Sequence, residues 1–149
     1  MKFKRIMATL LASVMFMSVA AIPAFAANTG DTQFSFYWQG SDRTKYTETR
    51  TKENNTPVYI KATPNTLPYN GFYVGTEYYS SGWHKASADS YLLNDYAGHT
   101  IRSNATSRSM VNTDVRIKGT YRDRTYNWGS VRGVWSPDTA SAQNYVSLN

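Results

Sequence analysis

The sequence predicts an all-β fold, an antiparallel β-sandwich of about six to eight short strands. Three observations lead there. Apolar residues recur with period two in several windows. No window carries a long amphipathic helical pattern. Thr, Ser and Asn are frequent between the patterned runs, as short strands joined by turns require.

Taken in chain order, Gln33 to Trp38 alternates, with Phe34, Phe36 and Trp38 on one face and Gln33, Ser35 and Tyr37 on the other. Val58, Ile60 and Ala62 repeat the pattern after Pro57. Tyr69-Asn70-Gly71 signals a turn, and Phe72 to Tyr79 then reads as a ring-rich strand. Ala86 to Ala97 has room for a short helix, made marginal by Tyr91, Asn94 and Asp95. Gly98 to Ser103 is a weaker strand centred on Ile101. Asp114 to Arg122 is the clearest strand: Val115, Ile117, Gly119 and Tyr121 face one way, and the charged and polar residues between them face the other. The polar loop Asp123 to Asn127 leads to Trp128 to Trp135, read as its hairpin partner.

The first 26 residues stand apart. Lys2, Lys4 and Arg5 precede an uncharged stretch from Ile6 to Ile22, followed by Pro23 and Ala24-Phe25-Ala26. A basic start, an apolar middle and small residues at the cleavage positions describe a secretory signal peptide, cut after Ala26. The 17 residues from Ile6 to Ile22 fall short of the roughly 20 that a spanning helix needs. Residues 27–149 are then a single secreted domain with no membrane span, extracellular or held at the cell wall. Secreted domains of this size in eukaryotes usually carry disulfides. The chain has no cysteine, which points to a Gram-positive type of bacterium.

Composition narrows the chemistry. Without cysteine there is no disulfide scaffold, thiolate metal site or cysteine nucleophile. His84 and His99 are the only histidines, too few for a multi-histidine centre. No phosphate loop, paired-carboxylate motif or His-x-x-x-His spacing accompanies them. The expectation is therefore no metal, no cofactor and no catalysis. The mature part has 4 Leu, 3 Ile, 7 Val and 3 Phe but all 12 Tyr and all 4 Trp of the chain. Rings must supply the core, which favours a thin two-layer packing with ring tips at the rim.

Two motifs carry a resemblance. Lys52-Glu53-Asn54-Asn55-Thr56-Pro57-Val58-Tyr59 and Gly133-Val134-Trp135-Ser136-Pro137-Asp138-Thr139 resemble motifs of a family of small exported Gram-positive proteins catalogued as a domain of unknown function. The layout is similar too, from signal peptide through Phe-x-Phe strand to Trp-Ser-Pro-Asp. That family implies no catalytic residues. In size, export route and Tyr/Gly/Trp-rich composition the chain also resembles lactococcin-type bacteriocins, which are exported β-sandwich proteins. Physically, Pro137 must end the strand that carries Trp135, and Asp138 suits a turn that needs an acceptor. Lys52 to Thr56 reads as a polar turn before a strand.

Charge is the most informative functional feature. Residues 27–101 carry 6 basic and 7 acidic side chains, whereas the remainder carries 7 basic and 3 acidic. A hairpin over Asp114 to Trp135 would gather Arg116, Lys118, Arg122, Arg124 and Arg132 beside Tyr121, Tyr126 and Trp128. Arginines next to rings bind anions by bidentate hydrogen bonds and stacking. The partners expected are an anionic cell-envelope polymer, a lipid headgroup or another exported protein, and not nucleic acid. The expected function is a non-catalytic exported binder, with a secreted bacteriocin-like toxin as the alternative.

Overall fold

The computed structural model describes residues 28–68, 70–87, 91–93, 98–101, 110–122, 128–139 and 146–147. The signal peptide expected at 1–26 lies outside them. The described residues form two sheets and no α-helix. One sheet has the order β1 (Thr32–Gln39), β10 (Trp128–Ser136), β4 (Val58–Ala62), β8 (Gly98–Ile101), β11 (Val146–Ser147). The other runs β2 (Thr44–Tyr46), β9 (Thr113–Tyr121), β5 (Phe72–Tyr79), β6 (Trp83–Lys85), with β3 (Arg50–Lys52) also on β9 and β7 (Tyr91–Leu93) also on β5. All pairings are antiparallel except β8 with β11.

The six strands of four residues or more are those that alternation and ring content mark in the sequence. Apart from β11, the extra short segments arise because the outer strands are broken. β2 and β3 are two halves of one edge along β9, and β6 and β7 are two halves of one edge along β5. At the second break Ala86 and Ser87 donate their backbone N–H groups to Thr76 O, and Ser87 Oγ accepts from Thr76 N. Tyr91–Leu93 is thus a strand where a short helix was expected, since the open edge of β5 supplies ladder partners that an isolated helical turn lacks. Residues 88–90 and 94–97 of that expected helix lie outside the described residues.

The hairpin expected from Asp114 to Trp135 does not form. β9 pairs with β5, β2 and β3, while β10 pairs with β1 and β4 in the opposite sheet. Both strands bury a face, with Val115, Ile117 and Tyr121 on β9 and Val131 and Trp135 on β10. Placed in opposite layers, these faces meet across the core. The rings of the first sheet lie on those of the second: Trp38 stacks on Tyr121 at 5.5 Å and 13°, and Phe36 meets Phe72 edge-on at 6.2 Å.

Glycine allows this closeness. Between the sheets, a methyl group on Gly119 would stand 2.5 Å from the Phe36 ring; within the five-stranded sheet, one on Gly133 would stand 2.1 Å from the backbone carbonyl of Lys61 on the adjacent strand. Flat rings fill the space the missing side chains leave. Trp38 Nε1 makes a long hydrogen bond, 3.4 Å, to Gly119 O. Trp135 Nε1 has no acceptor among the described residues, and its ring is instead approached by the Arg50 guanidinium at 5.7 Å.

The two sequence motifs meet in a buried clasp. Lys52 Nζ donates to Asp138 Oδ1 and Pro137 O, each at 2.8 Å, and to Thr56 O, with both charged side chains fully buried. Asp138 also accepts the backbone N–H groups of Glu53 (2.8 Å) and Asn54 (3.3 Å). It therefore caps the turn of the other motif and not its own. Thr139 N donates to Thr56 Oγ1, and Ser136 Oγ reaches the carbonyls of Asn28 and Asp138. Burial pushes the Lys52 amine below its ordinary value, against the opposing pull of the Asp138 hydrogen bond and charge.

Two outcomes follow for stability. Gly133→Ala forces a methyl group into fixed backbone and should cost about 3 kcal/mol or more, the upper end for overpacking, read as a lowered urea midpoint; an unchanged midpoint contradicts the close approach. Asp138→Ala leaves a buried lysine without its counter-charge and should cost about 3–5 kcal/mol. The double variant Lys52→Met, Asp138→Leu should recover only part of that loss, because the N–H groups of Glu53 and Asn54 also lose their acceptor.

Candidate functional site

The eight residues expected to form one basic, aromatic patch are divided between the sheets. Arg124 and Tyr126 lie outside the described residues. Arg122 is exposed just past the end of β9. Arg116 and Lys118 project from the outer face of the six-stranded sheet, where Glu77 on the neighbouring strand meets both. Arg116 Nε and Nη2 donate to Glu77 Oε2 at 3.0 and 2.7 Å, and Lys118 Nζ is 3.7 Å from Oε1. The Arg116 guanidinium also lies between the rings of Tyr46 and Trp83, 3.8 Å from each centroid. Its charge and both of its faces are thus taken up within the protein.

The remaining three, Tyr121, Trp128 and Arg132, do converge. They line a hollow of about 490 Å³ between the start of β10 and the loop Asn65–Pro68 that follows β4. The loop is held to the strand by Thr66 Oγ1, which donates to Arg132 O (3.1 Å) and accepts from Arg132 N (3.2 Å). Tyr121 reaches the hollow from the core side: its ring lies over Gly129, where a methyl group would come within 2.7 Å. Trp128 is 61% exposed. Arg132 also lines a second hollow of about 520 Å³ together with Gln33, Ser35 and Thr63, so it stands where the two meet.

Register explains this grouping. On the outer face β1 contributes Gln33, Ser35, Tyr37 and Gln39, and β10 contributes Trp128, Ser130 and Arg132, each strand alternating with buried residues. Tyr37 pairs with Ser130 and is therefore the diagonal neighbour of both Trp128 and Arg132. Tyr37 is 53% exposed. On β4, Lys61 points outward between Ile60 and Ala62 and pairs with Val134, diagonal to Arg132. No strand of the five-stranded sheet contains Asp or Glu, whereas β5 and β9 of the other sheet carry Glu77 and Asp114. This face therefore presents Lys61 and Arg132 without an acidic side chain on its own strands.

Tyr37 and Lys61 were not among the expected site residues. Alternation already places Tyr37 outward on its strand, but the β1 to β10 register that brings it to Arg132 joins residues about a hundred positions apart. His84 is exposed, with Nε2 2.9 Å from Ser80 O and its ring 5.4 Å from that of Tyr78. Among the described residues no three acidic or histidine side chains cluster as metal ligands would, and no helix is long and apolar enough to cross a membrane.

Two hollows thus share Arg132 in their lining. Over residues 22–139 the chain matches the family model described as protein of unknown function DUF2712, and it belongs to that family. No curated protein and no solved structure matches it.

The geometry makes Trp128 the tryptophan most open to solvent, with Trp38 and Trp135 enclosed. Trp128→Phe should therefore remove the largest part of the fluorescence that acrylamide quenches. If quenching is the same in the variant, Trp128 is not at the surface.

Proposed function

We propose that the chain is an exported, non-catalytic β-sandwich that binds an anionic polymer of the cell envelope through the outer face of its five-stranded sheet. This reading includes removal of residues 1–26 as a signal peptide and a location outside a Gram-positive cell, free or at its wall. The observation that supports it best is Arg132: it is exposed, lines two hollows, one of them with Trp128 and Tyr121, and lies in a sheet whose strands carry no acidic residue. An exposed guanidinium beside the exposed Trp128 ring suits an anionic ligand with apolar faces. The opposite sheet is less suited, since Glu77 and two rings already engage Arg116.

Pull-down on purified cell wall tests the reading. Retention should be strong at low ionic strength and fall as salt screens the charges. Arg132→Ala and Trp128→Ala should each weaken it by about tenfold, the loss of roughly 1.4 kcal/mol, while Arg116→Ala leaves it unchanged. Absence of retention at low salt contradicts the proposal. Growth inhibition of related strains by the purified protein, without wall binding, would point to the bacteriocin-like alternative.

A further inference from the structure

We infer that the polymer bound at this face is a polysaccharide bearing carboxylate groups, its sugar rings lying on Trp128 and Tyr37 and an acid group held by Arg132; the inference rests on the envelope-binding reading above.

Three classes of polyanion compete for the face: polyphosphates, anionic lipid surfaces and acidic glycans. Charge alone is too weak to choose the first two. A basic side chain near an anionic surface contributes about fivefold in affinity. Lys61 and Arg132 together then give about thirtyfold, a dissociation constant in the tens of millimolar. Any useful affinity at this face has to come from something besides charge.

The rings supply it. Among the described residues, Trp128 and Tyr37 are the exposed large hydrophobic side chains of this sheet, at 61% and 53% exposure. They are neighbours on the diagonal across β1 and β10. Covering such a ring removes apolar area from water. The ring neighbours, however, are polar: Gln39 opposite Trp128, Ser130 opposite Tyr37, and Ser35 opposite Arg132. A lipid tail would strand those groups without partners, at a cost. A sugar ring satisfies both demands, since its C–H faces lie on aromatic rings while its hydroxyls reach serine and glutamine side chains.

Arg132 sets the acid group. A guanidinium offers a fork of N–H donors matched to a planar carboxylate. Its position between two hollows, of about 490 and 520 Å³, places the acid group inside a longer chain and not at its end. Each hollow falls in the range of about 300–1,000 Å³ that holds one small ligand. A continuous occupant of both is therefore an oligomer.

Affinity electrophoresis of the intact mature protein tests this, with polygalacturonate as the acidic glycan. Neutral dextran, inorganic polyphosphate and phosphatidylglycerol vesicles serve as the competing arms. Polygalacturonate should retard migration and quench Trp128 fluorescence, and dextran should do neither. Trp128→Ala should weaken binding by tenfold or more. Arg132→Lys, which keeps the charge and loses the fork, should weaken it about fivefold, and Lys61→Gln less than threefold. Equal binding of dextran would overturn the role given to the acid group. Binding of polyphosphate without polygalacturonate would overturn the glycan assignment and leave the envelope-polymer reading standing, whereas binding of vesicles alone would overturn both. No binding to any probe, or to purified wall, would overturn both. Unchanged thermal midpoints of the three surface variants separate lost binding from lost folding.

Discussion

The fully buried pair Lys52 and Asp138 is the constraint from which the rest of the arrangement follows. Two opposite charges taken out of water contribute little net stability compared with apolar side chains of the same size. What they impose is a choice, because any packing that separates them leaves an unpaired charge in the interior. The pair joins segments 86 residues apart, fixing the end of β10 against the turn that starts β4. Through Ser136 and Arg50 it also draws in the chain at Asn28. With β10 fixed at that end and paired with β1 along its length, its opposite end carries Trp128, and its middle Arg132, to the solvent face. The clasp and the candidate site thus lie along one strand.

The second organising fact is the unequal treatment of charge on the two outer faces. On the six-stranded sheet, Arg116 and Lys118 share the single carboxylate of Glu77, and the Arg116 guanidinium is stacked between Tyr46 and Trp83. On the five-stranded sheet the cations are few and none faces an acid on its own strands. Of the basic residues expected in the patch, Arg116 and Lys118 on β9 are thus engaged with Glu77.

Much of the fold could be read from the chain because its long strands alternate cleanly, as in Phe34, Phe36 and Trp38 or Val115, Ile117 and Tyr121. The broken edge strands could not. Arg50 to Lys52 is not marked as a strand in the sequence and Lys52 to Thr56 reads as a polar turn, since a lysine at a core position hides the burial of that strand until Asp138 is seen beside it. Tyr91 to Leu93 resembled a helix because a three-residue strand has no period to recognise. The motifs Lys52 to Tyr59 and Gly133 to Thr139 stood out in the sequence, but their meeting is a long-range contact that local spacing does not encode. The candidate site was legible in kind, rings beside arginine, and only partly in membership. Choosing Arg132 over Arg116 needed the sheet assignment of β9 and β10, and two adjacent strands joined by a short loop look like a hairpin whether or not they pair.

Mapping the amide resonances of the protein on addition of solubilised wall polymer tests the account most directly. The perturbed amides should form one contiguous patch over β1 and β10 around Arg132, extending to Lys61 and the Asn65 to Pro68 loop, with Arg116 and its neighbours unmoved. A patch centred on β9 and β5 would contradict the assignment of function to the acid-free sheet.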